Sequence, residues 1–159
     1  MIILGIDPGY ERLGLAVLEK KEGDKREVVL FSECFKTDKK LPHHERLSLI
    51  GKEINKIIKK YSPERMAIET LFFNSNQMTA MKVAEARGVA LYESSKLGLE
   101  VFEYTPLQIK IAVTGYGRSD KKQMIDMICR LVTIEKEIKH DDEYDAIASA
   151  ITCFAIEKY

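Results

Sequence analysis

Residues 2–9 read Ile-Ile-Leu-Gly-Ile-Asp-Pro-Gly. The run Ile2–Ile6 has no polar side chain, which suits a central strand buried on both faces. It ends at Asp7, and Pro8-Gly9 opens a turn. An acid at the exit of a buried strand has no packing reason to be there, and a buried acid is costly unless it is paired or binds a cation. The pattern recurs where Met66-Ala67-Ile68 runs into Glu69.

Working outward, Asp142 and Asp145 lie three apart in Asp-Asp-Glu-Tyr-Asp-Ala-Ile-Ala-Ser-Ala, residues 141–150. Residues three apart share a helix face, so both can reach one ion. Asp141, four before Asp145, is equally compatible, and spacing alone does not choose between Asp141 and Asp142. Acids at a helix start also suit the macrodipole without any function. Together with two strand-end acids, however, they read as a set. Convergent carboxylates make the all-oxygen site that Mg²⁺ prefers. Two such ions beside a phosphodiester can hydrolyse it.

The first third of the chain predicts three strands, Ile2–Ile6, Leu13–Leu18 and Glu27–Phe35, joined by short connections as an antiparallel meander. A helix begins near Pro42 and ends at Ser62-Pro63, with Leu47, Ile50, Ile54, Ile57, Ile58 and Tyr61 as its apolar stripe. Arg65–Thr70 and Val101–Tyr104 are the remaining strands. Helices are expected over Asn76–Lys96, Pro106–Val113, Asp120–Val132 and Asp142–Glu157. This order implies an α/β fold with a mixed five-stranded sheet flanked by helices. The whole chain, residues 1–159, reads as a single domain. The Asn76–Lys96 helix is apolar around most of its circumference, which predicts burial on nearly all sides. Either it is central within one subunit, or its second face meets a partner subunit.

The bulk numbers narrow the function classes. Apolar residues make up 45% and charged residues 31%, an ordinary globular balance. No stretch is long and apolar enough to span a membrane. The start lacks the basic segment of a signal peptide, so a cytoplasmic protein is expected. Cys34, Cys129 and Cys153 form no metal or redox spacing and read as reduced, buried thiols. Net charge is zero and the pI about 6.8. Nucleic-acid binders are usually more basic, yet lysines crowd Lys36–Lys40, Lys52–Lys60 and Arg118–Lys122.

Several further stretches run in order along nearly the whole chain: ILGIDPG, AIET followed by LFF, AEARGVAL, VFEYTPLQIK, TGYGRSDKKQM and DEYDAIASAIT. Together they resemble the RuvC family, bacterial crossover (Holliday) junction endodeoxyribonucleases. The resemblance implies a ribonuclease H-like fold and a homodimer dependent on Mg²⁺, with Mn²⁺ able to substitute and two ions per site. The implied activity is paired, symmetric nicking of four-way junction DNA in recombination and repair, alongside the branch-migration proteins RuvA and RuvB. The family's acids fall on Asp7, Glu69, Asp142 and Asp145. Its base-contacting aromatic matches Phe72, and Lys110 and Lys121 match basic residues near its active site. Arg118, in the glycine-rich loop before a helix, is a further DNA-binding candidate. Arg87 could face DNA or cap a packing interface.

Two rivals stand against this reading. IDPGYERLGLAV also resembles the first phosphate loop of actin-like sugar and acetate kinases, but the second acidic glycine loop of those proteins is missing. A non-catalytic junction-binding module would not need acids at all four positions.

Overall fold

The computed structural model describes residues 1–71 and 77–157. Its elements are β1 (Ile2–Asp7), β2 (Arg12–Glu19), β3 (Val28–Lys36), α1 (His43–Tyr61), β4 (Arg65–Glu69), α2 (Gln77–Lys96), β5 (Glu100–Tyr104), α3 (Pro106–Thr114), α4 (Lys121–Leu131) and α5 (Asp141–Ile156). Every expected element is present, with ends within about one residue. The strands form one five-stranded sheet in the order β3-β2-β1-β4-β5. β1 pairs antiparallel with β2, and β2 with β3. β1 pairs parallel with β4, and β4 with β5. The sheet is therefore mixed, as the sequence predicts.

The period-2 alternation of β1 sorts its residues onto two cores. Leu4 and Ile6 belong to the layer beneath α1 and α2. Ile3 belongs to the opposite layer, under α3, α4 and α5. Gly5 and Asp7 share the parity of Ile3 and so face α5. On β4, Met66 and Ile68 join the α1/α2 layer while Ala67 joins the α5 layer. Glu69 shares Ala67's parity and also faces α5.

That face is built from small residues. A Cβ on Gly5 would stand 2.0 Å from the carbonyl oxygen of Ala146, and a Cβ on Gly14 would stand 2.0 Å from that of Asp142. Helix α5 thus rests its backbone directly on β1 and β2, a separation that only glycine permits there.

Helix ends follow local chemistry. Thr105 and Asp120 each begin a helix with a reciprocal capping box to Gln108 and Gln123. Ser62 closes α1 in the left-handed region at φ 49°, its N–H donating to Ile58 O at 2.8 Å.

Two expectations need correction. α2 is not buried on all sides within the chain: Ala86 and Ala90 are fully buried, but Met81 and Tyr92 are each 62% exposed. Its inner face packs on α1 and the sheet, and its outer face stays uncovered. Cys34 and Cys153 are buried free thiols as expected, whereas Cys129 is exposed, lying on the outer side of α4.

Candidate active site

The four predicted acids meet at one edge of the sheet. Asp7 ends β1, and its register partner is Gly14. Glu69 ends β4, the parallel neighbour of β1. Asp142 and Asp145 occupy the first turns of α5, which Gly14 admits close above Asp7: a Cβ at Gly14 would lie 2.8 Å from the carbonyl carbon of Asp142 and 3.0 Å from Asp7 Cβ. Spacing alone leaves Asp141 compatible, but Asp142 is the residue whose backbone sits over Gly14.

The charges of the four acids act on one another. Burial, then the charges of Asp145, Glu69 and Asp142, push the Asp7 carboxyl up to about 8. Burial and Asp145 also raise Glu69. Asp145 is raised by burial in spite of the Lys121 ammonium, which bonds both its carboxylate oxygens. Asp142 is held by the Arg12 guanidinium, and Cys34 Sγ lies 3.6 Å from its Oδ2. Among the described residues, no three acid, histidine or cysteine side chains are drawn together tightly enough to enclose an ion. The two acids of α5 instead each pair with a cation, while Asp7 makes no ion pair among the described residues, although the Lys121 charge acts on it. Three carboxylates around the half-buried Asp7 complete a hard, all-oxygen donor set whose mutual repulsion a divalent cation relieves, so the chemistry of the residues fits such an ion.

The cleft beside the acids is shaped by basic residues. A hollow of about 310 Å³ is lined by Glu69, Lys110, Lys121 and Asp145 together with Ile109 and Ser119. A second, of about 270 Å³, is lined by Asp7, Pro8, Glu69, Thr70, Leu71 and Pro106. Lys110 and Lys121 therefore sit at the acids as predicted. Arg118 lies farther out, exposed in the loop before α4. Phe72 lies outside the described residues.

Arg87 now has a place. Its Nε donates to Glu69 O at 3.1 Å, and its guanidinium pairs with Glu103. From α2 it braces the end of β4 that carries Glu69.

Sequence reasoning missed Arg12, which faces Asp142 across 130 positions of chain. It also missed Glu143, which accepts from Ser32 Oγ and Lys136 Nζ, both at 2.7 Å. Although burial acts to raise it, Lys136 and Ser32 hold this carboxyl below the usual range. The network ties the first turn of α5 to β3. The one sequence signal for it was an acid on the apolar side of α5.

Comparison with known proteins shows the family. The family model "Crossover junction endodeoxyribonuclease RuvC" matches residues 3–153. The chain belongs to the RuvC family. The RuvC of Thermosipho melanesiensis is 46% identical over 157 residues, which is 99% of this chain and 98% of that protein. The RuvC of Desulfitobacterium hafniense is 46% identical over 151 residues, covering 95% and 90%. The solved structure of T. thermophilus RuvC in complex with a Holliday junction substrate superposes with a TM-score of 0.90 at 31% identity, covering 98% of this chain and 93% of that one. The ribonuclease H-like fold of RuvC is thereby the fold of this chain.

Proposed function

We infer that this RuvC chain, as one nuclease domain, is a crossover junction endodeoxyribonuclease that nicks Holliday junctions. The observation that carries the reading is the meeting of Asp7, Glu69, Asp142 and Asp145 beneath the α5 N-terminus in a chain matched by the RuvC model from residue 3 to 153. Those four acids would hold Mg²⁺, with Mn²⁺ as substitute and two ions per site. Such ions activate an attacking water and neutralise the leaving oxygen of a phosphodiester.

The chain's own residues supply the rest. Asp7, raised by burial and its neighbours, is the acid on which the others converge. Gly5 and Gly14 fix the height of Asp142 and Asp145 above it. Lys121 and Lys110, lining the cleft, attract the phosphate and offset the negative charge that develops on it. Arg118 extends the basic rim along the DNA. Phe72, three residues past Glu69, is placed in the chain to stack on a base beside the cut.

A junction yields two duplexes only when two strands of like polarity are cut. One site cuts one strand, so the active form is a two-fold homodimer. The stripe Met81, Glu85, Gly88 and Tyr92 on α2, exposed in the single chain, is the face for that partner. The same reading places the protein in the cytoplasm beside RuvA and RuvB.

The test is a synthetic four-way junction labelled on each strand in turn, incubated with Mg²⁺ and resolved on a denaturing gel. Paired nicks at equivalent points on opposing strands are expected. Equal cutting of plain duplex, or cuts on adjacent strands of opposite polarity, would overturn the resolvase reading.

A further inference from the structure

The corner between α3 and α4 carries an exposed aromatic on a tightly held backbone. Tyr116 is 57% exposed, and beside it Leu107 and Ile111 are 57% and 49% exposed. Leu107 and Ile111 are four apart and share one face of α3. Both side chains reach Gly117: a Cβ there would meet Leu107 Cδ1 at 2.5 Å and Ile111 Cγ1 at 3.5 Å. Leu107 and Ile111 therefore pack against the glycine that follows Tyr116, and that glycine cannot be enlarged without displacing Leu107.

The backbone under the ring is pinned from both sides. Tyr116 N donates to Thr114 Oγ1 at 3.1 Å. Tyr116 O accepts from Ser119 Oγ at 2.7 Å and from Ser119 N at 3.2 Å. Thr114 and Ser119 are themselves joined, hydroxyl to hydroxyl, at 2.6 Å. Thr114 Oγ1 is anchored on the Lys110 carbonyl at 2.8 Å. Ser119 is buried. A loop braced in this way keeps its aromatic in solvent at little further entropic cost on binding.

Two features say what the patch meets. It adjoins the cleft of the acids, since Lys110 and Ser119, which brace the loop, also line that hollow with Glu69 and Asp145. It is also flanked by Arg118, which is exposed, and by Lys110, which lines the cleft and whose charge acts on Glu69. An exposed ring on a rigid loop, with two cations nearby, suits a nucleobase with phosphates on either side. A protein partner would call for no such cations.

We propose that Tyr116, exposed on its braced loop next to Gly117, is a stacking platform for a base of the junction strand that runs out of the cleft past Lys110 and Arg118. The proposal rests on the junction-nuclease reading and adds a DNA contact outside the acid cluster.

The experiment uses the full chain and a four-way junction carrying 2-aminopurine at successive positions beside the crossover, in Ca²⁺ so that binding is read without cutting. The unmodified protein should change 2-aminopurine fluorescence at a discrete position. Tyr116→Ala should abolish that change and weaken junction binding about 5- to 150-fold, the range expected for loss of one stacked base. Tyr116→Phe should retain both. Melting temperature should not move, because the ring is exposed.

Wild-type fluorescence and affinity in Tyr116→Ala would overturn the proposal. So would an equal loss in Tyr116→Phe, which would assign the effect to the hydroxyl. Dissociation of the oligomer by Tyr116→Ala would identify the patch as a contact between copies and overturn it too. Failure of the parent reading looks different, since the unmodified protein would then neither bind nor cut the junction.

Discussion

Replacing Gly14 with alanine should separate α5 from the sheet and disable the site. A Cβ there would lie 2.0 Å from the carbonyl oxygen of Asp142. An ordinary carbon–oxygen contact is about 3.3–3.6 Å, so the gap must open by roughly 1.3 Å. Both groups are backbone-anchored, one on β2 and the other in the first turn of α5, and no side-chain rotation relieves the clash. Overpacking of this kind costs typically about 1–3 kcal/mol. For a chain of this size that is a fall in melting temperature of roughly 2–12 °C. The functional loss should be larger, because Asp142 and Asp145 ride on the displaced helix. Misplacing reacting groups by about 1 Å can cost on the order of 100-fold in rate. Thermal unfolding by circular dichroism gives the first quantity. Single-turnover junction cleavage well below the melting point gives the second, per folded molecule. A Gly14→Ala protein that melts like the parent and cuts at its rate would show that α5 does not sit on Gly14.

Asp7→Asn, Glu69→Gln and Asp145→Asn should each abolish cutting yet leave junction binding in Ca²⁺ nearly intact; a purified Asp7→Asn protein with parental activity would remove Asp7 from the mechanism. The raised Asp7 carboxyl also predicts a pH effect in chelator. With the folded value near 8 and the unfolded one about 3.9, the native state binds the extra proton, so stability falls as pH rises through that window. Asp7→Asn should therefore melt higher than the parent at pH 8, by at least about 1 kcal/mol or roughly 2–4 °C, with the gap closing near pH 4; a constant gap would contradict the assignment. Glu143 has the opposite sign: its lowered carboxyl stabilises above the unfolded value and loses that contribution as pH falls, so Glu143→Gln should cost about 1–3 kcal/mol at pH 7 and less near pH 4 by thermal melts. Gly88→Arg or Tyr92→Arg on the open face of α2 should give folded monomers in sedimentation, and a monomeric parent at micromolar concentration would refute the dimer.

The sequence made local features legible and left remote pairings hidden. Strand parity, cap residues and turn chemistry act over a few positions, and they located all ten elements and the strand ends that carry Asp7 and Glu69, whereas the choice of Asp142 over Asp141 came from the family resemblance. The contact between Arg12 and Asp142 spans 130 positions, and that between Ser32 and Glu143 spans 111. No periodicity encodes such a pair, so both escaped notice. The apolar circumference of α2 predicts burial nearly all round, yet within the chain only its inner face is covered, because hydrophobicity does not say what will cover a face. Arg87 was ambiguous for a similar reason, since its partner is a backbone carbonyl on a different element. The formal neutrality of the chain argued mildly against nucleic acid because it averages over an acidic centre and a basic rim.

The topology explains why that centre and rim fall where they do. β3, β1, β4 and β5 all point the same way, and only β2 runs against them. Four strand exits and one strand entry therefore share a single edge of the sheet, the edge where α/β folds bind ligands. The two central exits deliver Asp7 and Glu69. The β2 entry delivers Arg12 and Gly14, the one to hold Asp142 and the other to let it approach. The β3 exit brings Lys36 to 3.2 Å from His140 at the start of α5. The β5 exit leads through Thr105 into the helix that bears Lys110. Acids thus occupy the middle of the edge and cations both flanks. If β4 ran antiparallel to β1, Glu69 would lie at the opposite edge, some five residues or about 17 Å away, and no choice of side chains could then assemble the set.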